Sequence, residues 1–222
     1  MTDRVHIKEI FSSIQGEGPF IGYRQLFVRF CGCNLNCSFC DTDYDKVNSK
    51  QYTVEELVEE VKKHSDCHSV SLTGGEPLLN TGFLKEFLPQ CHLPVYLETN
   101  ATLAGELGEV IDYIDFVSAD IKLPSCTGGS AYWNEHDEFF KKACHKELFA
   151  KIVFDENITE EEIKQSAKLG AKYGIELILQ PKNTNEFVKP DMDFVNRIFS
   201  RFLEKYKKVR VIPQVHKILE VR

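Results

Sequence analysis

Gln25-Leu-Phe-Val-Arg-Phe-Cys31-Gly-Cys33-Asn-Leu-Asn-Cys37-Ser-Phe-Cys40 is the stretch on which the fold turns. Its opening run is aromatic, β-branched and mostly apolar, and a glycine ends it, which is the composition of a buried strand. Three thiols follow in a CxxxCxxC spacing, close enough along the chain to converge on one centre. A loop at the C-terminal end of a strand is where ligands gather in a parallel α/β sheet.

Outward from that strand, similar runs recur at residues 69–72, 94–98, 115–120, 148–154, 175–180 and 209–212. Helical patterns lie between several of them. Thr53 with Glu56 and Thr159 with Glu162 form capping boxes, the second flanked by Ile158 and Ile163 as a hydrophobic staple and closed by Gly174. A further helix follows Pro190, and weaker patterns cover residues 81–90 and 102–113. Parallel neighbours need crossovers that are usually helical, so the alternation predicts an α/β class with mostly parallel strands. About seven strands fall short of a closed eight-unit barrel, so the expected architecture is a partial, modified (βα) barrel. No repeat, linker or low-complexity tract divides the chain, and residues 1–222 are read as one domain; residues 125–130 (SCTGGS) read as a loop.

Composition narrows the function classes. The 27 basic and 34 acidic residues leave a formal charge of −7, which disfavours general binding to nucleic-acid phosphates or anionic lipid. No apolar run is long enough to span a bilayer, and the N-terminal residues lack the apolar core of a secretory signal, so a cytoplasmic protein is expected. Eight cysteines then need an explanation other than disulfides. Cys67, Cys91, Cys126 and Cys144 are scattered and read as buried or half-buried packing residues. Cys33, Cys37 and Cys40 suit a 4Fe-4S cluster with one open iron. The alternative is a zinc site completed by Cys31 or His68.

A second signal, Thr73-Gly74-Gly75-Glu76-Pro77, follows the next apolar strand. Paired glycines permit close approach to the backbone, and Glu76 can accept hydrogen bonds from an ammonium group. The two loops together resemble the radical S-adenosylmethionine (SAM) superfamily. That resemblance implies a 4Fe-4S cluster on Cys33, Cys37 and Cys40, whose open iron binds SAM and cleaves it to a 5′-deoxyadenosyl radical. It also implies SAM contacts from Phe39, Asp41, Gly75, Glu76, Asp120, Lys122, Gln180 and Asn183. A closer family match within it expects Ser at Asp120 and Gly at Ala101, and the latter is read as a tolerated loop change.

Further features resemble one family within it, the 7-carboxy-7-deazaguanine synthases. They are Phe11-Ser-Ser-Ile14-Gln15-Gly16-Glu17-Gly18, Arg29, Cys40-Asp41-Thr42, Glu98-Thr-Asn and Pro213-Gln-Val-His216-Lys. The implied reaction converts 6-carboxy-5,6,7,8-tetrahydropterin to 7-carboxy-7-deazaguanine with loss of ammonia, toward queuosine and related 7-deazapurines. Glu17 and Glu98 suit the N–H and amine edge of a pterin, with backbone groups at Ile14, Gln15 and Gly16 beside them, and Arg29 suits the substrate carboxylate. The resemblance further implies Thr73, His216 and the Arg222 carboxylate at the substrate, Thr42 on a Mg2+ ion, a homodimer, and flavodoxin or ferredoxin as electron donor. Two rival functions remain open: an activase that makes a glycyl radical on a partner protein, and a zinc-stabilised binding module.

Overall fold

The computed structural model describes residues 4–38, 40, 42–183 and 189–221. The elements run β1 (Val5–Ile14), β2 (Arg24–Phe30), β3 (Lys50–Tyr52), α1 (Val54–Lys62), β4 (Ser69–Gly74), α2 (Thr81–Phe87), β5 (Val95–Thr99) and α3 (Ala104–Val110). They continue with β6 (Phe116–Asp120), α4 (Pro124–Thr127), α5 (Trp133–Ala143), β7 (Glu147–Phe154), α6 (Glu160–Tyr173), β8 (Glu176–Pro181), α7 (Met192–Lys205), β9 (Val209–Val211) and α8 (Val215–Leu219). Among the described residues one sheet contains all nine strands, in the order β3-β1-β2-β4-β5-β6-β7-β8-β9.

The seven runs expected from sequence are the strands that pair in parallel, β2 and β4 to β9. The two strands not anticipated, β1 and β3, pair antiparallel at one edge. β1 hides its period because its register shifts by a bulge between Ile7 and Glu9, which moves side chains to the other face. β3 is three residues long, with Lys50 and Gln51 exposed.

Both capping boxes are formed: the Thr53 and Thr159 hydroxyls accept the backbone N–H of Glu56 and Glu162, whose carboxylates accept the N–H of the two threonines. Each such cap stabilises its helix by about 1 kcal/mol. Gly174 takes the left-handed conformation, φ 67°, that ends α6. The reading of residues 125–130 as loop is corrected in part, since Pro124–Thr127 forms one helical turn before Gly128. α5 was also not anticipated.

Strand alternation divides the sheet into two faces. Leu26, Val28, Phe30, Val70, Leu72, Leu97, Val117, Ile152, Leu177 and Leu179 point to the helices and form the main core. The alternate residues point inward. Near the strand starts, Tyr96, Phe149 and Ile178 pack around Phe20 from the β1–β2 connection, with Phe116 against them. Farther along the strands most inward residues are polar, with Phe27 and Val153 as apolar exceptions. The sheet curls to bring these together: β1 and β8 lie six strand spacings apart, roughly 29 Å if flat, yet Gln180 Nε2 donates to Glu17 Oε1 at 3.3 Å. β3 and β9 remain unpaired edges, so the barrel is partial.

Candidate active site

A cavity of about 270 Å³ opens at the C-terminal ends of the parallel strands. Its wall includes Cys33, Cys37, Cys40 and Thr42 from the loop after β2, Ile14 at the end of β1, and Gln15, Gly16 and Glu17 just after it. Arg29, Thr73, Gly75, Glu98, Asp120, Lys122, Gln180, Asn183 and His216 complete the expected set. The sequence-predicted residues Phe39, Asp41 and Arg222 lie outside the described residues. Glu76 is the one described candidate that does not face the cavity.

Glu76 is fully buried and is bonded within the protein rather than lining the cavity. It accepts hydrogen bonds from Leu78 N (3.1 Å), Asn100 N (2.8 Å) and Thr99 Oγ1 (2.9 and 3.0 Å), tying the β4 loop to the end of β5. Burial pushes its carboxyl up to about 7 against those hydrogen bonds. The glycines before it also have a more local duty than ligand approach. A Cβ on Gly75 would lie 1.8 Å from the Gly32 carbonyl oxygen, and one on Gly74, at φ 109°, 2.4 Å from the Phe30 oxygen. Only glycines let this loop pack on the backbone that launches the cysteine loop, where Gly75 N donates to Phe30 O and Glu76 N to Gly32 O.

That packing aims donors at the first thiol. Leu35 N lies 3.4 Å and Asn100 Nδ2 3.8 Å from Cys33 Sγ, and Asn100 Nδ2 also donates to Asn34 Oδ1 at 2.8 Å. All eight cysteines are free thiols. Three thiols on one loop facing one cavity, the first of them supplied with N–H donors, are the donor set of an iron-sulfur cluster. Among the described residues no three Cys, His, Asp or Glu side chains already converge on a metal-sized point. The zinc alternative fails on position: Cys31 is buried outside the cavity wall, and His68 stacks on Tyr23 at 4.1 Å before β4, at the opposite end of the strands. Cys67 and Cys126 are buried as expected of packing residues and Cys91 is half-buried, whereas Cys144 is exposed, against expectation.

The part of the cavity built by the ends of β6, β7 and β8 is ionic. Glu17 pairs with Lys151 and accepts from Gln214 Nε2 at 2.8 Å and from Gln180. Burial alone would raise its carboxyl, but Lys151, Gln214 and His216 overcome burial and hold it at about 2. Asp120 lies 2.7 Å from Lys122 Nζ and 3.4 Å from Lys151 Nζ, so the residue standing where Ser was expected joins two ammonium groups. Glu98 is held by neutral donors instead: Gln15 Nε2 at 3.0 Å, Ser71 Oγ at 3.2 Å and Thr73 Oγ1 at 3.1 Å. Arg29 pairs with Glu9 at 3.1 Å and sits over the Phe11 ring, which stacks on Phe27. The tail closes this side. Val215 N donates to Gly16 O at 2.8 Å, and a Cβ on Gly16 would meet His216 at 2.5 Å.

Sequence reasoning missed Lys151, Gln25, Ser71, Gln214 and His136. The first three stand out as polar residues at alternate positions of otherwise apolar strands. His136 carries no such signal. Wholly buried on α5, it donates from Nδ1 to Ala101 O (3.1 Å) and accepts Lys122 N–H at Nε2 (3.2 Å), a tautomer those partners dictate. Burial holds it down at about 4, hence neutral. Ala101 itself has φ 56°, so the residue in place of the expected glycine is strained rather than merely tolerated.

These features can be set beside known proteins. Residues 27–170 match the family model of the Radical SAM superfamily. The chain is 37% identical to the 7-carboxy-7-deazaguanine synthase of Geobacter sulfurreducens, over 96% of each chain. It is also 37% identical to that of Archaeoglobus fulgidus, over 99% of this chain and 100% of the relative. The crystal structure of QueE from Escherichia coli shares the fold, with a TM-score of 0.66, 19% identity, and coverage of 96% of this chain and 95% of that one. A cysteine loop packed on paired glycines, in a curled sheet of this order and with identity spanning the whole chain, has one explanation: the chain belongs to the radical SAM superfamily and, within it, to the 7-carboxy-7-deazaguanine synthases.

Proposed function

We propose that this enzyme converts 6-carboxy-5,6,7,8-tetrahydropterin to 7-carboxy-7-deazaguanine with loss of ammonia. The observation that carries the reading is the cavity's division: a three-cysteine loop on one wall faces two carboxylates, Glu17 and Glu98, backed by amides on the other. Cys33, Cys37 and Cys40 would hold the 4Fe-4S cluster, which together with SAM supplies the hydrogen-abstracting chemistry. Gly75, Asp120, Lys122, Gln180 and Asn183 line the part of the wall assigned to SAM. Thr42 offers an oxygen to a hard cation such as Mg2+.

Substrate recognition is assigned to the facing wall. An ionised carboxylate accepts two parallel hydrogen bonds, the complement of the adjacent N–H and amine of a pterin. Beyond the internal bonds described, Glu17 and Glu98 each keep room for about one more hydrogen bond, on Oε2, so accepting a pair requires an internal donor to Oε1, such as Gln180 at 3.3 Å on Glu17, to give way. Arg29 is assigned to the substrate carboxylate, where it would share its charge with Glu9. Gln15 bridges Glu98 and Gln25 through Nε2, and its Oε1 accepts Glu17 N–H, so it orients both carboxylates at once. We assign the chain to the cytoplasm as one domain, a homodimer reduced by flavodoxin or ferredoxin, as the family resemblance implies; the described helices include none long and apolar enough to cross a membrane.

The test is anaerobic reconstitution followed by reaction with SAM, Mg2+, reductant and the carboxytetrahydropterin. Product should form in brown protein with about four irons per chain. Protein so loaded that forms no product would overturn the substrate assignment, and a colourless, zinc-containing protein would overturn the cofactor.

A further inference from the structure

Lys151 is a buried cation that lines the cavity and that the reaction assigned above does not use. It lies mid-strand in β7, directly opposite Asp120 in the sheet register, among Ala150, Ile152 and Phe149. Its side chain is 9% exposed, and it reaches across the curled sheet to Glu17, which belongs to a segment 134 residues earlier. A buried lysine is costly unless paired, and here the pairing carboxylate faces the cavity. Other charged or titratable groups near the pair are Asp120 and Lys122 from the end of β6, Glu98 and Tyr96 from β5, and His216 from α8. Gln180 and Gln214 supply only neutral amides to Glu17.

We propose that Lys151 is a positioning residue for substrate recognition: its ammonium keeps the Glu17 carboxylate ionised and aimed into the cavity, so that Glu17 accepts both hydrogens of the substrate's amino-pyrimidinone edge. This rests on the assignment of Glu17 to the substrate. Without the ammonium, Glu17 is a buried carboxylate flanked by amides, and it takes up a proton near neutral pH. A protonated carboxyl offers one hydrogen where the pterin edge also offers hydrogens, and the match is lost. Lys151 thereby sets selectivity for ligands carrying two adjacent donors, although the structure shows it bound to Glu17 and Asp120 rather than to the substrate.

The experiment measures the dissociation constant of the carboxytetrahydropterin for the anaerobic holoenzyme without reductant, so that nothing turns over, from about pH 6 to 9. Lys151→Met should weaken binding about 10- to 100-fold at neutral pH. The loss should shrink as pH rises, because Glu17 regains its charge above its new value, whereas the wild type stays flat across this range. Lys151→Arg, which keeps the charge, should bind within a few-fold of wild type. Glu17→Gln should weaken binding independently of pH, and adding Lys151→Met to it should change nothing further. A pH-flat loss in Lys151→Met, or additive losses in the double variant, would overturn the proposal. If Lys151→Met does not fold, the Arg and Glu17→Gln/Lys151→Met variants decide on the same criteria. Unchanged binding in Glu17→Gln would instead overturn the substrate assignment beneath it.

Discussion

Glu76 and Glu17 are the same residue type at two sides of one site: Glu76 is fully buried behind the cysteine-loop wall, Glu17 is mostly buried and lines the cavity, and the structure drives their carboxyls in opposite directions. Glu76, on the cysteine-loop side, meets only neutral donors and is pushed up to about 7. Glu17, on the ionic side, meets Lys151 and is held at about 2. Burial raises both, so the difference is the ammonium paired directly with Glu17; Lys122 acts on Glu76 only as its smallest influence. The cysteine-loop wall is shaped by backbone packing and hydroxyl or amide hydrogen bonds, while the facing wall is shaped by paired charges. The first arrangement fixes where a loop lies. The second fixes the charge state of a carboxylate.

The contrast can be broken most severely at Gly75. Gly75→Ala drives a methyl into the Gly32 carbonyl oxygen, a backbone clash that no rotamer relieves, and should cost about 3 kcal/mol or more. Thermal denaturation and iron content should both fall; a variant with wild-type Tm and full iron loading would show that the cysteine loop does not depend on this packing.

A sharper test uses pH. Glu17 has its value depressed from 4.5, so its contribution to stability is full above the unfolded value and is lost as pH falls toward 2; the displacement to about 2 is worth on the order of 3 kcal/mol. Glu76 has its value raised from 4.5 to about 7, so the folded state binds the extra proton and stability declines as pH rises across that window, by a similar order of magnitude. Denaturant titrations of Glu17→Gln should flatten the acid limb, and those of Glu76→Gln should remove the decline toward pH 7. Identical slopes in the two variants would mean that the cation does not distinguish the walls.

The smallest effect is expected at Ala101, which joins the walls through its bond to His136. Its φ of 56° costs a non-glycine residue about 1 kcal/mol. Ala101→Gly should therefore raise stability by somewhat less than that, since glycine gives up more chain entropy on folding. A fall in Tm would show that the Ala101 methyl, which is fully buried, contributes more by packing than its backbone loses by strain.

Much of this was legible in the chain. Apolar runs located every parallel strand, because residues buried on the helix-facing side of a sheet must be apolar wherever the strand goes. The capping boxes of Thr53 and Thr159 are local chemistry and read correctly for the same reason. The cysteine spacing and the glycine pair marked the mouth of the cavity, and the polar residues placed at alternate strand positions, including Lys151, were visible though unread. β1 was hidden by its bulge and β3 by its shortness.

What the chain determined by itself was therefore local: which segments are strands, which turns cap helices, and which thiols share a loop. Only the tertiary structure decided which side chains meet. The curl of the sheet brings Glu17 against Lys151 and Gln180, packs the Gly74–Gly75 loop on the stem of the cysteine loop, and sets His136 between Ala101 and Lys122. Each of these contacts joins residues far apart in sequence, and their energies depend on burial and on the partner supplied. That is why two glutamates indistinguishable in the sequence end with opposite protonation behaviour at two sides of one site.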